Sequence, residues 1–181
     1  MKRIGFLALF SAVLFVVARP SAMIPDQVRI DTGMLSGVVG TTQSSVRAFK
    51  GIPFAAAPVG DLRWKAPQPA AKWDGVRDAS AFGAPCAAGG PAFGGRGGNR
   101  GNRGARGDAP APPANAAPPR EPARSEDCLY LNVWTSAASA NDKRPVMMWI
   151  YGGGFTGGSG GMAWYDGENL AAKGAVIVTI N

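Results

Sequence analysis

Three consecutive glycines, Gly152 to Gly154, follow an apolar run and Tyr151 and precede Phe155. The run, residues 145–150, reads Pro-Val-Met-Met-Trp-Ile and has the length of a strand. Glycine has no side chain to obstruct a bound group, and it adopts backbone angles that other residues avoid. A buried strand that ends in such a loop brings free backbone N–H groups to one point, where they can stabilise a developing negative charge.

This chemistry suits acyl transfer, in which the carbonyl oxygen of the substrate becomes negatively charged in the transition state. Two or three N–H donors must then be fixed in place before the reaction begins. A structural alternative stays open, because a glycine-rich loop also makes tight turns and a glycine pattern alone is weak evidence of function.

A serine in the same stretch, Ser159, has the letter pattern Gly-x-Ser-x-Gly of a hydrolase nucleophile. That pattern requires a strand before the serine and a helix directly after it, whereas Ser159 follows a loop. The chain also contains no histidine, the usual general base near neutral pH. We therefore expect Ser159 to be a loop residue and not a nucleophile.

The N-terminus has the features of a secretory signal peptide. Basic residues precede an apolar run over residues 4–18, and small residues allow cleavage after Ala18 or Ala22. An uncleaved membrane anchor is the alternative, but the run is short for a bilayer span. We expect residues 1–22 to be removed and the protein to be secreted or periplasmic, without membrane association after cleavage.

The net charge of +7 lies mainly in the leader and in the segment 87–125. This segment has a Gly/Arg stretch followed by an Ala/Pro tract, with Phe93 as its one large apolar residue. Such a composition predicts a flexible surface loop. An Arg-Gly RNA-binding segment is the alternative, but the segment has no interleaved aromatic residues for base stacking. Because the rest of the chain is neutral, we expect no nucleic-acid partner.

Two cysteines, Cys86 and Cys128, flank this loop. In an exported protein an even pair of cysteines favours a disulfide over two free thiols. Neither cysteine has a nearby metal-binding partner, and histidine is absent. We therefore predict a disulfide, no metal site and no cofactor.

Extended segments precede the loop at residues 87–125. Val28 to Asp31 and Met34 to Val39 predict a small antiparallel hairpin, and Ser45 to Phe49 a third strand. An irregular, proline-rich crossing follows, with Trp64 and Trp73 as apolar anchors.

After the loop, residues 129–134 alternate in polarity as a strand does. Residues 146–150 and 175–180 lack alternation, which is typical of strands covered on both faces of a parallel sheet. Between these two strands a short helix is expected, with Asp166 as its N-cap and Gly174 at its C-terminal end. Strand, helix and strand would together form a βαβ unit. The last strand would leave an unpaired central edge, which indicates the N-terminal piece of a longer protein.

Three ordered motifs resemble the type-B carboxylesterases, the cholinesterase-like branch of the α/β-hydrolases. They are the segments Phe49 to Trp64, Glu126 to Trp134 and Tyr151 to Phe155. The resemblance runs from about Val28 to Asn181, apart from the Gly/Arg/Pro loop. It implies that residues 23–181 are the N-terminal part of an α/β-hydrolase fold, in which a small antiparallel sheet precedes the first strands of an incomplete central mixed sheet.

The resemblance also assigns roles. Gly153 and Gly154 match the oxyanion-hole donors of the family, and Gly152 matches the glycine that shapes the loop. Cys86 and Cys128 match the cysteines that close the family's loop beside the active site. A structural ion pair at the base of that loop corresponds to Arg63 and Glu126.

The function that the resemblance implies is hydrolysis of a small-molecule carboxylic ester by a serine esterase. The family's nucleophilic serine, acid and histidine would all lie beyond Asn181, so this chain alone is expected to be inactive. A catalytically dead, cholinesterase-like module that binds a protein partner is the alternative, because fold does not determine function.

Overall fold

Two β-sheets dominate the computed structural model, which describes residues 25–87, 122–139, 141–154 and 156–181. The predicted signal peptide and most of the predicted loop at 87–125 lie outside these residues. The described elements are β1 (Gln27–Ile30), β2 (Gly33–Ser36), β3 (Val38–Val39), β4 (Arg47–Pro53), β5 (Val76–Asp78), β6 (Tyr130–Thr135), β7 (Val146–Ile150), α1 (Glu168–Ala171) and β8 (Val176–Ile180), with 3-10 turns at Gly60–Leu62 and Ala163–Tyr165.

The small sheet has the order β1-β2-β5. The predicted hairpin is confirmed, since β1 and β2 pair antiparallel, but its second strand ends at Ser36, and Val38–Val39 belongs to the large sheet. The sheet is not wholly antiparallel, however, because β5 joins β2 in the parallel direction. At three residues, β5 is too short to show a period in the sequence.

The two tryptophans of the crossing differ in their surroundings. Trp73 packs on the core of the small sheet, and its indole N–H donates to the carbonyl of Met34 at 2.9 Å. The prediction of Trp64 as an apolar anchor is wrong, because 99% of this residue is exposed. No described element lies over it.

The large sheet is mixed and has the order β3-β4-β6-β8-β7. All its pairs are antiparallel except the last, in which β7 and β8 run parallel as the predicted βαβ unit requires. A bulge interrupts β4 between Phe49 and Ile52, where Gly51 has φ +64°. Added side-chain volume at this glycine would lie against the carbonyl of Ala81, so the bulge depends on it.

Two expectations about the parallel strands are corrected. Strand β8 is not an edge, because it pairs with β6 on one side and β7 on the other. Strand β7 is not covered on both faces, since all five of its residues are exposed. The reason is that α1 packs over β6 and β8, and within the described residues nothing pairs with the outer edge of β7.

The core that supports the large sheet contains five buried residues, Val46, Ala48, Trp134, Ala171 and Ile177. Helix α1 contributes Ala171 to it. The helix begins one residue later than predicted, at Glu168, and the carboxylate of Asp166 accepts the Glu168 N–H at 2.8 Å. Gly174 follows the helix with φ +101°, as its predicted terminal position requires. No helix in the described part of the chain is long and apolar enough to cross a bilayer.

Candidate active site

The glycine loop begins where β7 ends. Gly153 has φ +150° and Gly154 has φ +57°, angles that a residue with a side chain rarely adopts. A Cβ atom added at Gly153 would overlap the carbonyl oxygen of Gly157. At Gly152, by contrast, an added Cβ would meet no atom within 4 Å. The backbone therefore depends on glycine at position 153 above all.

The loop is also held by its own hydrogen bonds. The carbonyl oxygen of Gly153 accepts the backbone N–H of Thr156 at 3.0 Å and its hydroxyl at 2.8 Å. Among the described residues, the N–H groups of Gly153 and Gly154 have no hydrogen-bond acceptor. Unpaired N–H donors on a constrained loop can bind an anionic oxygen.

An open depression of about 520 Å³ lies at these glycines. Its lining comes from the end of β7, the glycine loop, the end of β8 and the first cysteine, and comprises Cys86, Ala87, Ile150, Tyr151, Gly152, Gly153, Gly154, Gly157, Gly158, Ile180 and Asn181. The two predicted donor residues therefore share one cavity.

One cysteine of the predicted disulfide, Cys86, lines this depression. Cys86 and Cys128 are joined, with their Cα atoms 4.9 Å apart. The chain on either side of the loop is paired as well, because Cys86 and Ser125 form a parallel bridge. Arg124 also donates to the carbonyl of Cys86 at 2.9 Å.

Arg63 and Glu126 lie side by side, as the resemblance implies. The Arg63 Nε atom donates to Glu126 Oε1 at 2.8 Å, and a second guanidinium nitrogen contacts Oε2. The hydrogen bond to Glu126 raises the pKa of Arg63, and the hydrogen bond from Arg63 lowers the pKa of Glu126. Both side chains are about half exposed, so the pair contributes little to stability. Its structural role stays a prediction.

Ser159 lies in the loop before the 3-10 turn and is 2% exposed. Its Oγ atom accepts the backbone N–H of Gly161 at 2.9 Å. No strand leads into this serine and no helix follows it directly. Its buried hydroxyl therefore serves the local turn geometry.

The Carboxylesterase family model matches residues 25–181, which include the whole depression and its flanking strands. The chain belongs to the carboxylesterase family. The resemblance to the type-B carboxylesterases is thereby confirmed, and the strands and the glycine loop described above are part of an α/β-hydrolase fold.

Similar carboxylesterases are known from bacteria. The chain is 40% identical over 169 residues to fumonisin B1 esterase of Sphingopyxis macrogoltabida, covering 93% of this chain and 27% of that protein. It is 38% identical over 154 residues to para-nitrobenzyl esterase of Bacillus subtilis, covering 84% of this chain and 27% of that protein. A solved structure of a PNB esterase superposes with a TM-score of 0.63 at 35% identity, and the match covers 86% of this chain and 27% of that one. The chain thus spans about a quarter of these relatives.

Three polar residues near the loop carry no predicted role. Asn132 on β6 and Thr179 on β8 are buried, and Asn181 directly follows β8. The side chain of Asn181 accepts the N–H of Gly160 at 2.8 Å and donates to the carbonyls of Ala84 and Cys128 at 3.0 and 3.2 Å. For Thr179, the available signal was a polar residue inside an otherwise apolar strand.

Proposed function

We propose that the protein containing this chain is a serine hydrolase of carboxylic esters, in which this chain supplies the oxyanion hole. The observation that carries the proposal is the pair of N–H groups at Gly153 and Gly154, which have no acceptor among the described residues and belong to residues that line an open depression. Membership of the carboxylesterase family makes an ester carbonyl the group they would bind.

In this mechanism a serine hydroxyl attacks the ester carbonyl, and a histidine takes the serine proton and returns it to the leaving alcohol. The carbonyl oxygen becomes an oxyanion and accepts hydrogen bonds from Gly153 and Gly154. Water then hydrolyses the acyl-enzyme by the same steps. Loss of one such donor raises the barrier by about 3 kcal/mol.

The free edge of β7 supports this assignment. Its five residues pair with β8 on one side only, within the described part of the chain. A further parallel strand added to the other side would end at the same sheet edge as β7, beside Gly153. A nucleophile placed after that strand would lie next to the proposed donors, as in the strand-to-helix elbow of α/β-hydrolases.

The substrate class follows from the relatives, whose names are those of esterases. For this protein we propose a small-molecule carboxylic ester, hydrolysed without a cofactor. Export to the periplasm or the cell exterior is part of the proposal. It rests on the Cys86–Cys128 disulfide, which is typical of oxidising compartments.

The test begins with the 181-residue chain and an aryl acetate. We expect no turnover above buffer, for the wild type and for Ser159→Ala alike. Turnover that disappears in Ser159→Ala would contradict the assignment of the nucleophile to another part of the protein.

The second step uses the protein made from the uninterrupted coding sequence. We expect turnover of the aryl acetate, and we expect a fluorophosphonate probe to label one serine outside residues 1–181, located by mass spectrometry. An intact protein that neither turns over the ester nor reacts with the probe would instead be a catalytically dead binding module.

A further inference from the structure

One buried backbone unit, Gly160, receives hydrogen bonds from side chains of two strands. Its carbonyl oxygen accepts the hydroxyl of Thr179 at 2.7 Å and the amide of Asn132 at 3.4 Å. Its N–H donates to the side chain of Asn181 at 2.8 Å. Thr179 is fully buried and Asn132 is 4% exposed. Gly160 is therefore fixed from β6 and from the end of β8.

The direction of these hydrogen bonds is determined by their donors. The backbone N–H of Gly51 donates to Asn132 Oδ1 at 3.0 Å, so the amide nitrogen of Asn132 must point the other way. That nitrogen donates to Thr179 Oγ1 at 2.9 Å. The single hydroxyl proton of Thr179 is then directed at the carbonyl of Gly160. A continuous relay thus runs from the bulge in β4 to the glycine-rich loop.

Tight packing connects Gly160 to the proposed oxyanion donors. An added Cβ at Gly160 would lie 2.8 Å from the carbonyl of Ile180, so this part of the loop rests on the end of β8. An added Cβ at Gly158 would overlap the ring of Tyr151, and Gly153 is in contact with Gly157. Through these contacts at Gly158 and Gly157, we expect a displacement of Gly160 to shift the backbone at Gly153.

We propose that Asn132 and Thr179 are positioning residues of the oxyanion hole. The inference rests on the proposed function, and neither residue touches the substrate. Burying two polar side chains in a sheet costs free energy that an apolar pair of the same shape would not cost. Their hydrogen bonds to Gly160 offset that cost by holding the donors in place. A misplaced donor loses much of its effect on the transition state.

The experiment compares Thr179→Val, which keeps the shape but loses the hydroxyl, with Thr179→Ser, which keeps the hydroxyl. Both are made in the protein from the uninterrupted coding sequence, and urea unfolding establishes that each is folded. Ser136→Ala is the matched control, because the Ser136 hydroxyl also donates to a backbone carbonyl, that of Ala171, at 2.6 Å, but outside the loop. Thr179→Ala repeats the test if Thr179→Val does not fold.

Two measurements are made on each variant. For Thr179→Val we expect amide exchange at Gly160 and Thr156, whose N–H groups donate to Asn181 and to the carbonyl of Gly153, to be about tenfold faster by NMR. We also expect kcat for an aryl acetate to fall about tenfold or more, with KM nearly unchanged. Thr179→Ser and Ser136→Ala should retain wild-type values in both measurements.

Equal exchange rates and equal kcat values in Thr179→Val and Thr179→Ser would overturn the positioning role. If the wild-type protein hydrolyses no ester, the proposed function fails, and the exchange rates alone decide the positioning role. The two failures are thereby distinguishable.

Discussion

The buried carboxylate of Glu168 accepts two hydrogen bonds from Thr42, 126 residues earlier in the chain, one from its N–H and one from its hydroxyl, both 2.8 Å long. Thr41 donates to the same carboxylate through its N–H at 2.7 Å. One side chain of α1 thus fixes the turn that leads from β3 into β4.

These contacts make Glu168 strongly acidic. Burial alone would raise its pKa, but the backbone and hydroxyl donors of Thr42 and Thr41 outweigh burial and lower the pKa from 4.5 to about 2. Because the pKa in the folded state is below the unfolded value, this stabilisation is present above pH 4.5 and is lost as the pH falls towards 2.

We predict that Glu168→Gln destabilises the chain by about 3 kcal/mol at pH 7, the free energy that corresponds to this pKa shift. The difference between wild type and variant should shrink by about 2 kcal/mol between pH 7 and pH 3, because the carboxylate becomes protonated in the unfolded chain while it stays largely ionised in the folded one. Urea unfolding at the two pH values measures both effects.

Glu126→Gln is the control for the loss of one carboxylate, because Glu126 is exposed. It should unfold at nearly the wild-type urea concentration at pH 7. A constant difference between wild type and Glu168→Gln at both pH values would show that the carboxylate of Glu168 is not the group responsible.

The three glycines predict a graded response to alanine. Gly152→Ala should change the melting temperature little, since its surroundings are open. Gly154→Ala should cost about 1 kcal/mol for its positive φ. Gly153→Ala should be the most destabilising, because the new methyl group overlaps the carbonyl of Gly157. Thermal unfolding measures the order, and equal effects at all three positions would contradict the loop geometry.

Local patterns were sufficient to predict much of this structure. The hairpin follows from alternation in residues 28–39, the parallel pair β7 and β8 from two apolar runs with a helix between them, and the disulfide from Cys86 and Cys128. Each of these predictions depends on residue types or on a period that neighbouring residues carry.

Contacts between distant residues were not predictable in this way. Nothing in the local sequence pairs Glu168 with Thr42, and the apolar residues of β7 do not reveal which surface covers them. The relay through Asn132 and Thr179 was missed for a related reason. A polar residue in a strand signals a hydrogen bond, but its partner at Gly160 is known only once the sheet order is known.

Removing the disulfide should reduce stability. The cysteines are 42 positions apart, and in the chain-entropy model the loss of such a cross-link costs about 3 to 4 kcal/mol. We predict that dithiothreitol lowers the urea midpoint of the wild type and leaves a Cys86→Ala, Cys128→Ala double variant unchanged. Two alkylatable thiols in unreduced exported protein would contradict the prediction.

The edge of β7 should make the 181-residue chain self-associate. Met148 is 57% exposed, and within the described residues the outer edge of its strand has no partner. An apolar edge strand with unpaired backbone groups readily pairs with another chain. We therefore expect Met148→Lys to increase the monomer fraction, measured by light scattering across a range of concentrations. Leu170→Lys is the control, because Leu170 is 45% exposed on α1 and away from this edge. If the two variants raise the monomer fraction equally, added charge and not the edge of β7 controls association.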